Sequence, residues 1–113
     1  MRDIIKYKDF IGSVHFAAED EVFYGKIEGI DDLVTFEANN VKDLKEAFEL
    51  MVDEHIKDSE KEGIPLKKSY KGSLNIRIPG NLHEKASELA IVNGISLNQF
   101  IQQAIQHEIS FRR

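Results

Sequence analysis

Ser73-Leu74-Asn75-Ile76-Arg77-Ile78-Pro79 alternates polar and apolar side chains and then stops at a proline. In an extended chain successive side chains point to opposite faces, so Leu74, Ile76 and Ile78 share one face and Ser73, Asn75 and Arg77 the other. Pro79 has no N–H to continue a ladder, and its fixed φ suits a helix start. The stretch therefore predicts a short strand running directly into a helix.

Downstream, Leu82, Ala86, Leu89 and Ala90 recur at helical spacing and predict a helix over about Asn81–Val92, stopped by Asn93-Gly94 with a left-handed C-terminal residue. Ser96 is a good N-cap for a second helix carrying Leu97, Phe100, Ile101, Ala104, Ile105 and Ile109. One strand and two helices in about 43 residues bury too little apolar area to fold alone, and chains of this size need a metal, disulfides or a partner. The chain has no Cys and no ligand-spaced cluster, so the partner must be protein. The lone strand also needs a strand to pair with, and a second copy related by a two-fold axis is the simplest source. A homodimer or higher oligomer is expected, with Leu74, Ile76, Ile78, Leu89, Phe100, Ile101 and Ile105 in its core.

Pairing two such strands places Ser73, Asn75 and Arg77 of both copies on one exposed face of a two-stranded ribbon, which fits the major groove of DNA. Asn hydrogen-bonds the adenine edge and Arg the guanine edge in bidentate fashion, while Ser reads either. These three are the candidate base contacts. The free N–H groups at the helix start formed by Ser96, Leu97 and Asn98 are candidate phosphate contacts that would fix the register.

The charge of the whole chain points the other way: 15 basic against 20 acidic side chains give −5, and non-specific DNA binding depends on Lys and Arg. The distribution resolves the conflict. Residues 1–70 hold 10 Lys and Arg against 17 Asp and Glu, a charge of −7, whereas residues 71–113 hold 5 against 3, a charge of +2. An acidic body precedes a mildly basic tail. Composition changes at the same place, because Gly63-Ile64-Pro65-Leu66-Lys67-Lys68-Ser69-Tyr70-Lys71-Gly72 has no helical period. Two modules are expected, 1–66 and 72–113, with 67–71 as linker.

In the first module, Ile4–Tyr7 and Phe10–Phe16 read as strands, the second with Phe10, Gly12, Val14 and Phe16 on one face. Glu19-Asp20-Glu21 forms a turn, Val22–Ile27 another strand, Gly29-Ile30-Asp31-Asp32 a second turn, and Leu33–Glu37 a third main strand. Connections this short imply an antiparallel meander. Asn40 is suited to cap a helix over about 41–61, whose stripe of Val41, Leu44, Phe48, Met51, Val52 and Ile56 would lie on the sheet. The fold class is α+β.

The order and face assignment of Ser73–Pro79 with Asn93-Gly94-Ile95-Ser96-Leu97-Asn98-Gln99-Phe100 resemble the ribbon-helix-helix (Arc-like) DNA-binding repressors. Tyr24-Gly25-Lys26-Ile27-Glu28-Gly29-Ile30-Asp31-Asp32-Leu33-Val34-Thr35-Phe36-Glu37, with Val41–Val52 and Tyr70-Lys71-Gly72-Ser73, resembles the HicB antitoxins. The resemblance implies a partial ribonuclease-H-like N-terminal domain that blocks an RNA-cleaving HicA-type toxin. It also implies a tail, completed by dimerisation, that autorepresses its operon by binding operator double-stranded DNA. A protein that handles RNA presents basic surface, so the acidic body suits such a partner. On charge alone, Glu19, Asp20, Glu21, Glu28, Asp31, Asp32 and Glu37 are the candidate toxin contacts. The alternative is a stand-alone ribbon-helix-helix transcriptional regulator whose first module senses a ligand or another protein.

Enzyme chemistry has little support. Ribonuclease H catalysis needs inward carboxylates holding two metal ions, whereas Asp31 and Asp32 fall in a turn. His15, His55, His83 and His107 show no metal-ligand spacing, and no P-loop, nucleophile elbow or dinucleotide fingerprint occurs. No catalytic residue, metal or cofactor is expected. Neither an export signal nor the roughly 20 consecutive apolar residues of a spanning helix is visible, so a cytoplasmic protein with no membrane partner is the expectation.

Overall fold

Lys8 and Asp9 both adopt left-handed backbone, φ 48° and 65°, and this two-residue turn closes a tight hairpin between β1 (Ile4–Tyr7) and β2 (Phe10–Ser13). Positive φ at both central residues matches the right-handed twist of the flanking strands. The structure is a computed structural model describing residues 3–112. Its α+β fold comprises an antiparallel sheet of five strands followed by three helices. The chain divides into two compact units, Met1–Tyr70 and Lys71–Arg113.

In the first unit, β4 (Val22–Glu28) is central. β2 and β3 (His15–Ala17) pair along one edge of it in a single continuous register, from Ile11 opposite Glu28 to Ala17 opposite Val22. β5 (Thr35–Ala38) pairs along the other edge, with Tyr24 opposite Glu37. The expected strand Phe10–Phe16 is thus interrupted at Val14. There the Ser13 hydroxyl accepts from the Lys26 N–H at 3.1 Å, replacing a ladder bond. Gly25 is obligatory beside this break: a Cβ built on it would lie 1.7 Å from the Ser13 carbonyl oxygen.

Phe16, expected on the same face as Phe10, Gly12 and Val14, is 55% exposed and packs on Phe23 with ring centroids 4.9 Å apart, because α1 (Val41–Glu62) packs on β1, β4 and β5. One expectation is corrected here. Leu33 is not a strand residue. The Ile27 N–H donates to the Val34 carbonyl, which leaves Leu33 in the turn at 78% exposure.

α1 starts where Asn40 accepts from the Asp43 N–H at 2.8 Å and ends at Gly63, φ 68°. Leu44, Phe48 and Val52 are buried against Phe10, Ile27 and Phe36. Gly12 permits the close approach, since a Cβ there would meet the Phe48 ring at 2.7 Å. Burying side chains of this size contributes roughly 1.5–3 kcal/mol each. His55 and Ser59 extend the stripe as buried polar residues.

The chain after α1 is held down. The Ile64 N–H donates to the Ser59 carbonyl at 3.0 Å, and the Lys68 N–H to Gly29 at 2.8 Å. Lys67 Nζ donates to the Asp9 carbonyl at 2.6 Å while lying 5.1 Å from the Phe10 ring centre. Residues 67–70, read from sequence as linker, are part of the first unit.

In the second unit, α2 (Gly80–Val92) follows Pro79 as its N-cap. It ends where the Ile95 N–H bonds Ala90 and the Gly94 N–H bonds Ile91, with Gly94 at φ 68°. This is the six-to-one and five-to-two pattern that satisfies the last carbonyls of a helix. α3 (Leu97–Phe111) packs on α2, and Ala90 is the one fully buried apolar residue among the described residues of the unit. Residues 71–79 carry no regular secondary structure in the single chain.

Candidate functional site

Ser73, Asn75 and Arg77 are exposed, as are their neighbours Leu74, Ile76 and Ile78 at 70%, 52% and 41%. A strand is defined by its partner, and none is hydrogen-bonded to this segment among the described residues. Leu89 and Ile105 are also exposed, while Phe100 and Ile101 are half-buried. The two helices thus form one small contact around Ala90 and leave a broad apolar surface bare. Contiguous apolar surface of this kind marks an interaction face.

Ser96 begins α3 with a reciprocal cap. Its hydroxyl accepts from the Gln99 N–H at 3.0 Å, and the Gln99 side-chain oxygen accepts from the Ser96 N–H at 2.9 Å. Two of the helix's orphan N–H groups are thereby used. Leu97 and Asn98 supply the next N–H groups at this end, with Asn98 exposed and Leu97 half-buried.

On the first unit, the acidic candidates fall into separate places. Glu19, Asp20 and Glu21 occupy the turn between β3 and β4, where Glu21 has φ 52°. Glu37 projects from β5 on the face away from α1, opposite Tyr24. Asp20 and Glu37 line a trough of about 780 Å³ with Tyr24, Val22, Ala17 and Thr35. Glu28, Asp31 and Asp32 line a different, 330 Å³ recess whose other walls include Lys26, Lys68 and Tyr70. The candidates do not form one cluster.

Sequence reasoning missed Tyr24, His15 and Tyr70 as surface features. The His15 and Tyr24 rings are cross-strand neighbours with centroids 5.2 Å apart. Their opposition follows from the hairpin register, which was readable only as approximate turn positions.

One ion pair ties sheet to helix. Lys8 Nζ lies 2.9 Å from Asp53 Oδ1, and the Tyr7 hydroxyl donates to Asp53 Oδ2 at 3.2 Å. The hydrogen bond from Lys8 holds the Asp53 carboxyl below its ordinary range, and the same bond raises Lys8. Both side chains are exposed, so the pair contributes little to stability.

No group of three or more His, Asp or Glu is arranged to hold a metal ion among the described residues. No helix among them is long and apolar enough to cross a membrane.

The architecture defines an acidic α+β sheet unit joined to a two-helix unit with an unclosed apolar face. Residues 55–105, just under half of the chain, match the model of the HicB family, from the second half of α1 through the junction into α3. The match supports a HicB-family protein and is consistent, at the family level, with an antitoxin of a toxin-antitoxin system, which implies a toxin partner of some kind. No curated protein and no solved structure matches the chain.

Proposed function

We infer that the chain is the antitoxin of a type II toxin-antitoxin system. Its first unit, a partial ribonuclease-H-like domain, binds and blocks an RNA-cleaving HicA-type toxin. Its second unit pairs with that of another copy through residues 73–78 to complete a ribbon-helix-helix fold, and the paired ribbon reads the operator of its own operon. No catalytic role, metal or cofactor is assigned to it.

The observation that carries this reading is the HicB match running across the junction of the two units. The bare apolar surface of residues 71–113 supports the dimer, because Leu74, Ile76 and Ile78 gain burial only when a second chain covers them. The −7 of residues 1–70 supports a basic protein partner, since opposite charge speeds docking. The +2 of residues 71–113 supports DNA binding in which base contacts, rather than bulk charge, supply discrimination.

Co-expression with a HicA-type toxin tests the first half: the full chain restores growth and co-purifies with the toxin. Failure of both overturns the antitoxin reading. The variant Arg77→Ala tests the second half. It retains neutralisation and loses sequence-specific operator binding by roughly 5- to 150-fold, the worth of a bidentate base contact. Unchanged operator affinity would remove Arg77 from the groove.

A further inference from the structure

We propose that the trough on the helix-free face of the sheet, walled by Tyr24, Glu37 and Asp20, receives a basic side chain of the protein partner. The proposal rests on the antitoxin reading and assigns that reading its docking surface.

α1 covers the face of the sheet that carries Phe10, Ile27 and Phe36. On the opposite face Tyr24 is 44% exposed, with His15, Thr35 and Glu37 exposed beside it. Its ring is held by the His15 ring, 5.2 Å away across the strand pair. An aromatic face fixed in this way attracts a Lys or Arg head group placed over it.

Charge separates this trough from the other acidic surfaces. Glu37 lies directly across the ladder from Tyr24, and Asp20 closes the end of the trough from the β3–β4 turn. No Lys or Arg lines it. The recess at Glu28, Asp31 and Asp32 contains Lys26 and Lys68, so its carboxylates already have cations beside them. The outer side of α1 interleaves Lys42, Lys45, Lys57 and Lys61 with its acids. The trough is therefore where an incoming cation meets two carboxylates and a π face with no cation in its own walls, the nearest on the same face being Lys26, which shares a neighbouring recess with Tyr24. A guanidinium fits this set best, because it stacks flat on a ring while donating in-plane to carboxylates. A protein that handles RNA carries such groups on its working surface, so filling the trough would also occupy the partner's own phosphate-binding charge.

The test uses the full chain and a catalytically inactive HicA-type toxin, with binding measured by calorimetry and folding checked by thermal melting. The double variant Asp20→Lys, Glu37→Lys changes only exposed side chains; it is expected to melt as the wild type does and to bind at least tenfold more weakly. Tyr24→Leu keeps an apolar side chain on the strand and is expected to weaken binding at least threefold. Asp31→Lys, Asp32→Lys is expected to stay within twofold of the wild type. If the trough variants bind as the wild type does, or if the loop variant is the one that loses affinity, the trough assignment is overturned while the antitoxin reading stands. If the wild-type chain binds no HicA-type toxin, both fall.

Discussion

The Nε2–H of His55 donates to the carbonyl oxygen of Leu66 across 2.8 Å, tying the outgoing chain to the C-terminal half of α1. The carbonyl can only accept, so the bond sets the imidazole tautomer with its proton on Nε2. The ring also stands edge-on to Phe10 at 5.6 Å. His55→Ala removes the donor and opens a cavity beside Phe10; a loss of about 2 kcal/mol is expected, seen as a lower melting temperature. Amide exchange at Lys68, whose N–H bonds Gly29, should accelerate with it. Unchanged exchange would show that the segment is held by its other bonds alone.

Ser59, one turn further along α1, is buried with a hydroxyl that lacks a partner among the described residues. Replacing an unsatisfied buried hydroxyl by a methyl removes a desolvation cost, and Ala is the better helix former. Ser59→Ala should raise stability by about 1 kcal/mol in denaturant unfolding.

The Lys8–Asp53 pair gives stability a pH dependence whose sign follows from the two shifts. The Asp53 carboxyl is lowered from 3.8, so its contribution is complete above that value and is lost as pH falls through the lower folded value. Lys8 is raised from 10.5, so its contribution is complete below that value and is lost as pH rises through the higher folded value. The melting-temperature gap between the wild type and Asp53→Asn should be present at neutral pH and close on the acid side. The pair is solvent-exposed, so the gap should also shrink with added salt.

Much of this was legible in the chain itself. The cap at Asn40, the stripe from Leu44 to Val52, the stop at Asn93-Gly94 and the cap at Ser96 are local signals, and local hydrogen bonds decide them. What failed to show depends on long-range geometry. Phe16 alternates correctly for the core, yet whether a helix lies over it is set by how α1 crosses the sheet. The packing of residues 67–70 onto the first unit rests on bonds to Gly29 and Asp9, more than 35 residues away in the chain. The trough likewise required the register that sets Tyr24 against His15 and Glu37.

Gly25 tests that register directly. Gly25→Ala would force a Cβ into the Ser13 carbonyl on the neighbouring strand, where the obstacle is backbone and cannot rotate away. A loss of at least about 3 kcal/mol is expected, enough to unfold much of the first unit. Gly72→Ala meets nothing within 4 Å and should change stability by less than about 0.5 kcal/mol. Circular dichroism melts of the two variants provide the comparison.

Ser96 has a structural task that masks any contact with DNA, and a pair of substitutions separates them. Ser96→Ala removes the acceptor for the Gln99 N–H, so about 1 kcal/mol of helix stability should be lost whether or not DNA is bound. Ser96→Asp keeps an acceptor of equal quality at the cap and adds a negative charge at the N-terminus of α3, where the dipole favours it. Its melting temperature should match or slightly exceed that of the wild type. A phosphate held at that helix end would be repelled, so operator affinity should fall at least tenfold, and the slope of log affinity against log salt should become shallower. Unchanged operator affinity in Ser96→Asp would confine the residue to capping and leave Ser73, Asn75 and Arg77 to position the ribbon by themselves.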